Sequence, residues 1–556
     1  MTPTMLTLLS GERLRAFYAA GHWREDTIHS LVRAQAELRP DAIAIQERFR
    51  SVTYRDLLDA ADRLAGALDA SGVRPGQRVA VWLPSRIETA VAVLACSRNG
   101  YVVSPSLHRD HTVADIVEVL RRMRASALIA EDGYGADADR RDLFGRLGEV
   151  DSLRYVLRLE PLGEHAAGRP VLAELPAPAA PKEVWRDPDS VVYLAFTSGT
   201  VGRPKGVMHS DNTLLAPARA LAEDWSLDQD MVVYSASPLS HNLGFGAMIL
   251  ALTGGGRLVV HDLPRGASML DRLRETGATF LFGVPTHAMD LLAELRRPGA
   301  PGLPALKGFR VSGAAMTPVV AEGLLAHGIV PQSGYGMTEA GSHHYTRPDD
   351  EPRLIVESSG RPCAGHEARI FSREDPDREL PPGEVGQIGG RGASLMLGYF
   401  DDQATTEESF NSSGWFMTGD LGWVDEAGYI RITGRKKDVI IRGGHNIFPA
   451  RIENLVTRHP AVAKAAVIPV PDDRLGEKVC LVVTVKPGHE AEPDELLVHL
   501  DTLGLSKYDM PEYFLRLTEI PLLPSGKVSK RDLVAQVEDG RAVPAPVRFR
   551  APAVNA

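Results

Sequence analysis

Residues 196–206 read FTSGTVGRPKG. Thr197, Ser198 and Thr200 supply hydroxyls, Gly199 and Gly202 let backbone N–H groups approach a ligand, and Lys205 adds a compact positive charge. That combination suits a phosphate. A Walker loop ends in Gly-Lys-Ser/Thr, whereas here Pro204 precedes the lysine and Gly206 follows it. An ordinary P-loop nucleotidase is therefore disfavoured. The plainer reading is a mobile turn between two elements.

Other stretches hold residues capable of chemistry, each with a plain alternative. Thr338 and Glu339 in YGMTE read as a helix start with a first-turn acid. Asp420 in TGD reads as a turn residue, and Lys527 between Gly526 and Val528 as a solvated turn lysine. Gly443 and Gly444 make a tight turn or leave room for a narrow channel. The pair His343–His344 suggests a metal, but neighbours on a strand point to opposite faces, so pocket or loop roles are favoured.

The elements that must position these residues are legible as alternating patterns. Short apolar runs at 78–84, 126–131, 191–196, 257–261, 279–283 and 308–313 predict strands. Helical spacing between them, as in 54–72 with its closing glycine, argues for α/β sheets buried on both faces. Residues 231–256 carry no Asp, Glu, Lys or Arg. Polar residues at 235–242 interrupt the run, so it predicts a strand at 231–237, a polar loop and a short buried helix near 246–253 rather than a membrane span. The Pro- and Ala-rich segment 161–190 predicts a surface excursion. After residue 434 the character changes. Helices near 449–458 and 493–503 and strands near 464–470, 478–486 and 513–518 predict a small α+β unit. The expected division is 1–434, 435–540 and a flexible Pro- and Ala-rich tail at 541–556.

Whole-chain properties narrow the classes. The formal net charge of -10 disfavours nonspecific nucleic-acid binding. The three cysteines, Cys96, Cys363 and Cys480, form no CxxC pair, so a disulfide framework or structural zinc site is not expected. The N-terminus lacks the basic start and apolar run of a signal peptide, and the expected location is the cytoplasm, away from membranes.

With these stretches in hand, FTSGTVGRPKG resembles the phosphate loop of the adenylate-forming superfamily of acyl-CoA synthetases, nonribosomal adenylation domains and luciferases. The resemblance runs in order through SGAA (312–315), SGYGMTEAG (333–341), GWFMTGDLGWVDEAGYIRITGRKKDVIIRGGHNIFPARIE (414–453) and PLLPSGKVSKRDL (521–533). It spans about residue 28 to 533 and implies a large N-terminal domain of layered α/β sheets with a small mobile α+β C-terminal domain. It also implies a two-step reaction: a carboxylate attacks the α-phosphate of ATP, and a thiol then expels AMP from the acyl-adenylate.

The resemblance carries residue roles with it. Lys527 would bridge the carboxylate and α-phosphate, Thr338 would touch the α-phosphate, and Glu339 would hold Mg²⁺. Thr197, Ser198, Gly199, Thr200 and Lys205 would clamp the β- and γ-phosphates. Ser312, Gly313, Ala314, Ala315, Gly334, Tyr335, Gly336 and Met337 would line the adenine and triphosphate segments, with Tyr335 against adenine. Asp420 would accept from the ribose hydroxyls, beside Ile432 and Arg435. Lys437 matches the hinge pivot, and Gly443 and Gly444 the channel for the CoA thiol. Val201 stands where many relatives have Thr.

PLSHNLGF (238–245) matches the substrate gate, with His241 as gate residue and Asn242 where amino-acid activators place Asp. An α-amino acid is thus disfavoured. SHN and YTRPDD resemble aryl-acid–AMP ligases, and IIRGGHNIFPARIE resembles cyclohexanecarboxylate–CoA ligase. Asn242, Leu243, Gly244, Phe245, Gly313, Ala314, Ala315, Gly341 and His344 are the expected pocket, for a compact, largely apolar, cyclic or aromatic acid. No carrier segment follows the small unit, so the thiol is expected on a separate molecule: free CoA or, alternatively, a freestanding carrier protein.

Overall fold

The computed structural model describes residues 8–172, 174–176, 184–197, 204–264, 266–314, 316–443, 445–523 and 527–549. Two large sheets form the body. In the first, Arg257–Val260, Val232–Ser235, Phe280–Gly283, Gly308–Val311 and Val330–Met337 run parallel as neighbours. Ile43–Gln46 extends one edge and the antiparallel Gly341–Tyr345 the other. In the second, Val191–Thr197, Val102–Ser104, Arg78–Trp82, Ala125–Glu131 and Tyr155–Leu159 are parallel, and Lys205–Ser210 turns back antiparallel on Val191–Thr197. Strands such as Val191–Thr197 and Phe280–Gly283 are apolar along most of their length because helices cover both faces.

Helix Asn242–Thr253 packs between these layers. It carries no charge and is buried on nearly every side, which explains why its sequence lacks an amphipathic stripe. Among the described residues no helix is long and apolar enough to cross a membrane. This helix begins at Asn242, with His241 as its N-cap, four residues earlier than its sequence suggests. The expected gate loop is thus shorter, and Asn242 to Phe245 form the first helical turn.

A smaller antiparallel sheet joins His366–Phe371, Gly386–Gly392, Phe416–Val424 and Ile430–Arg435. The C-terminal part builds its own sheet from Ile440–Arg442, His445–Ile447, Val462–Asp472, Gly476–Val485 and Tyr513–Arg516, covered by Pro449–Val456 and Pro493–Thr502. Its core of Ile440, Ile452, Val467, Leu481 and Leu496 is separate from the body's. Residues 541–549, expected to be a loose tail, instead carry the short strand Ala545–Pro546. It pairs with Tyr513–Arg516, and the Val547 N–H donates to the Glu512 carbonyl at 2.8 Å.

Candidate active site

Parallel strands end at the site, and their C-terminal tips supply its groups. Strand Gly308–Val311 leads into Ser312 and Gly313, where φ is +93°. A Cβ on Gly313 would stand 3.2 Å from Lys527 Cε and 4.0 Å from Nζ, so the bare glycine gives the lysine its berth. Lys527 reaches that point from a hairpin in which the Leu523 N–H donates to the Lys527 carbonyl at 2.6 Å and Leu522 bridges Val528. Burial, then the nearby Arg435, lowers its ammonium to about 8, against the opposing pull of Asp420.

Asp420 lies on the strand Phe416–Val424, opposite Arg435 in the register. Arg435 Nε stands 3.2 Å from Asp420 Oδ1, and the Tyr335 hydroxyl donates to Oδ2 at 2.9 Å. Burial raises the Asp420 carboxyl, and Arg435 pulls it back down. The Tyr335 ring packs with Ile370, Ile388 and Ile430, with Met337 and Ile432 at the edge of the same cluster. Lys437 follows in a short 3-10 turn, its ammonium lowered by burial and by Arg435.

Glu339 sits just beyond the strand Val330–Met337. The Tyr399 hydroxyl donates to its Oε1 at 3.0 Å, and loss of solvent raises its carboxyl. Lys205 lies over the ring of the same tyrosine, its Nζ 4.7 Å from the centroid. Tyr399 therefore ties the end of the phosphate hairpin to the acid. The His209 Nε2–H donates to the Thr338 carbonyl at 2.7 Å, which holds the segment before Glu339. A buried carboxylate beside Lys205 and Tyr399 fits Mg²⁺, which takes few protein ligands beside phosphates. Among the described residues no cluster of three or more His, Cys, Asp and Glu could hold a metal by itself.

His241 stacks on His108 with ring centroids 4.0 Å apart, and His108 Nδ1 lies 3.1 Å from Ser240 Oγ. Burial, then Lys527, lowers His241 to about 4, so the gate imidazole is neutral. Asn242 Nδ2 donates to the Met337 carbonyl at 3.4 Å and pins the helix start to the central strand.

Behind this gate lies a narrow cavity of about 50 Å³. Asn242, Leu243, Phe245 and Gly341 line it, as expected, with Leu214, Pro217, Ile249 and Leu250. Four expected members, Gly244, Gly313, Ala314 and His344, do not line it. A Cβ on Gly244 would lie 2.2 Å from the Pro238 carbonyl oxygen, so this glycine backs onto the loop rather than the cavity. Gly246 is the helix glycine that leaves space, with nothing within 4 Å of its would-be Cβ. His344 is fully buried opposite Tyr335 in the sheet.

The opposite-face argument for His343 and His344 also fails. The register slips between Tyr335 and Gly336, leaving His343 as an extra residue that bulges from the ladder. The two Nδ1 atoms then meet at 2.6 Å, one donating and one accepting.

Ser198, Gly199, Thr200, Val201, Ala315 and Gly444 lie outside the described residues. Thr197 pairs with Lys205 across the phosphate hairpin. Ser312 is buried, Ala314 is exposed, and Gly336 is pressed against the Gly341 carbonyl, 2.1 Å from a would-be Cβ. Gly443, at φ +56°, donates its N–H to the Leu475 carbonyl at 2.7 Å, within the C-terminal sheet. The structure therefore brings Lys527, Gly313, Asp420 and Arg435 together, whereas the contacts of Gly443 lie in its own sheet.

Sequence reasoning missed His108, His209, Tyr399 and Arg310. The last is a cation on the wall of a pocket expected to hold few charges. Its signal was a lone arginine inside the apolar strand GFRVSG.

Comparison with known proteins gives the family. Residues 32–400 match the AMP-binding enzyme family, and residues 451–527 match the AMP-binding enzyme C-terminal domain. A medium-chain fatty-acid–CoA ligase of Escherichia coli (strain K12) is 32% identical, over 94% of this chain and 93% of its own. A salicylyl-CoA synthase / salicylate adenylyltransferase of a Streptomyces species is 32% identical, over 92% of this chain and 94% of its own. ATP-bound MatB from Rhodopseudomonas palustris superposes with a TM-score of 0.81 at 28% identity, over 92% of this chain and 99% of that one. The chain belongs to the AMP-binding enzyme family, the adenylate-forming superfamily.

Proposed function

We propose that this enzyme is an ATP-dependent carboxylic acid–CoA ligase that works through an acyl-adenylate on a compact cyclic or aromatic acid, with the cyclohexanecarboxylate skeleton as reference. The observation that carries the reading is Lys527 lodged against Gly313, facing Asp420 and Arg435 and close to the gate at His241. The relatives' activities span medium-chain and aryl acids, so they support the ligase chemistry and leave the acid to the pocket.

In the first step a carboxylate oxygen bonds to the α-phosphorus of ATP, the bond to the β-bridging oxygen breaks, and pyrophosphate leaves. Both reactants are anions, so repulsion must be cancelled by fixed positive groups. Lys527, protonated at neutral pH, lies where it can touch both. Asp420 accepts from the ribose hydroxyls, and Arg435 and Tyr335 hold that carboxylate in place. Lys205 and the hairpin loop receive the outer phosphates. Glu339 would hold Mg²⁺, which supplies charge neutralisation on the phosphate chain. The Gly341 and Asn242 side of the cavity receives the acyl group, with neutral His241 at its mouth.

In the second step the CoA sulfur bonds to the acyl carbon, and the carbon–oxygen bond to AMP breaks. Division at 434/435 with Lys437 as pivot lets residues 435–540 withdraw Lys527 and present Gly443 and Gly444 along the thiol path. Acid-dependent ATP–pyrophosphate exchange across cyclic, aryl and straight acids, followed by CoA addition, tests the reading. Exchange with some acid and thioester on adding CoA is the expected result. No exchange with any acid would overturn it. Exchange without thioester, but with transfer to a phosphopantetheinyl protein, would favour a carrier-loading role.

A further inference from the structure

Arg310 is the cation on the cavity wall, and no described residue neutralises it. Its side chain is 1% exposed, yet no carboxylate among the described residues pairs with it. Nη1 donates to Gln332 Oε1, but Nη2 is buried with no hydrogen-bond partner, and so is Gln332 Nε2. The guanidinium lies over the rings of Tyr345 and Phe282, at 5.1 and 5.9 Å. It also runs beneath Gly334, where a Cβ would stand 3.2 Å from Nη2. Burial lowers it to about 10, with only the Tyr345 hydroxyl and Cys363 thiol pulling the other way. An isolated buried charge costs several kcal/mol, on the order of what one buried ion loses on leaving water. A ligand that supplies the counter-charge would offset that cost.

The position fits a substrate. Arg310 precedes Ser312 by two residues on one strand, so its Cα lies about 7 Å below the tip and on the same face. The reacting carboxylate is placed at that tip, beside Gly313 and Lys527. Arg310 lines the cavity together with Leu243, Phe245 and Gly246, so a group that enters past them meets the guanidinium.

We infer that the acid this enzyme activates carries a second carboxylate at its distal end, which enters the cavity and pairs with Arg310 and Gln332. A carboxylate accepts two parallel N–H bonds from a guanidinium, a geometry that a neutral ketone or hydroxyl cannot match. The inference rests on the ligase reading and narrows its acid from cyclic monoacids to cyclic or aromatic diacids.

The test compares acids of one skeleton: cyclohexanecarboxylate with cyclohexane-1,4-dicarboxylate, benzoate with terephthalate, and each with its 4-keto or 4-hydroxy analogue. Pyrophosphate exchange reads kcat/KM for wild type, Arg310→Met and Arg310→Lys. The diacid of at least one skeleton is expected to exceed its monoacid by about 100-fold in wild type, because a site built for a polar group rejects analogues lacking it. Arg310→Met is expected to reverse that order, and Arg310→Lys to keep part of it. In the absence of acid, Arg310→Met is also expected to raise the thermal midpoint, since an apolar side chain replaces an unpaired charge. A monoacid preference in wild type, an order unchanged in Arg310→Met, or 4-hydroxy analogues equal to diacids would each overturn the inference while leaving the ligase reading intact. Exchange with no acid at all would overturn both. If Arg310→Met lowered the midpoint, Arg310 would be a structural brace and the inference would fail.

Discussion

Lys527 Cε would stand 3.2 Å from a Cβ on Gly313, and Gly313 holds φ +93°, where side chains are strained. The position of Lys527, the proposed catalytic lysine, thus depends on the one residue type that leaves both the space and the backbone conformation free. Gly313→Ala should push Lys527 off its position and slow adenylation by about 10- to 100-fold, the usual cost of a small misplacement. Thioester formation from supplied acyl-adenylate should change far less. Single-turnover rates of the two half-reactions check this, and equal losses in both would contradict it.

The Lys527 ammonium, lowered to about 8, must be protonated to bridge two anions. Adenylation kcat/KM should therefore fall as pH rises through about 8, with one proton lost. Lys527→Arg should move that limb upward, and Lys527→Ala should lower the rate by about 100- to 1,000-fold without such a limb. His241, at about 4, is neutral on both sides of neutrality and contributes no acid limb above pH 5 or so.

Tyr335 donates to Asp420 at 2.9 Å in a buried setting. Tyr335→Phe removes the donor and frees the carboxylate to turn toward Arg435. The KM for ATP should rise about tenfold, the value of one charge-assisted hydrogen bond, with little change in the KM for the acid. Initial-rate measurements varying one substrate at a time separate the two.

Lys205 stands over Tyr399, whose hydroxyl binds Glu339, and under the proposed function its charge meets the outer phosphates. Lys205→Ala should raise the KM for ATP by about 10- to 100-fold, and Val201→Thr should change it by less than about threefold. Equal effects would mean that hydroxyls of the loop, rather than Lys205, govern phosphate binding.

Gly246 leaves open space in the cavity, whereas Gly244 is pressed against the Pro238 carbonyl. Gly246→Val should fill the cavity and select against ring-sized acids in the exchange screen while the protein stays folded. Gly244→Ala should instead cost stability, by about 1–3 kcal/mol from overpacking. Thermal midpoints and acid profiles of the two variants check the assignment.

Seven strands of the two large sheets were legible because helices bury them on both faces, which leaves continuous apolar runs such as VVYLAF, whereas short or polar strands such as Val102–Ser104 and Val330–Met337 carry no such run. The small sheet holding Asp420 was legible only through its motif. Its Gly386–Gly392 strand reads GQIGGRG, a composition that hides strand periodicity. The cluster around Lys527 could be assembled from motif order, since each member lies within a recognisable motif. The cavity could not. Gly244 and Gly246 differ by two positions on a helix whose start the sequence places too late, and that shift exchanges wall for lining. His343 and His344 were misjudged because strand alternation fails at a bulge, and no residue type there announces one. Arg310 was overlooked because a single charge inside an apolar strand shows its lack of a partner only after folding.

The central claim is that the acid is activated as an acyl-adenylate, and the fate of its oxygen tests that most directly. Acid labelled with ¹⁸O in its reacting carboxylate is turned over with ATP and CoA, and the AMP formed is weighed by mass spectrometry. Attack on the α-phosphorus followed by expulsion of AMP leaves one carboxylate oxygen on the nucleotide, so AMP carrying a single ¹⁸O is predicted. Unlabelled AMP, or ADP with labelled phosphate, would contradict the account.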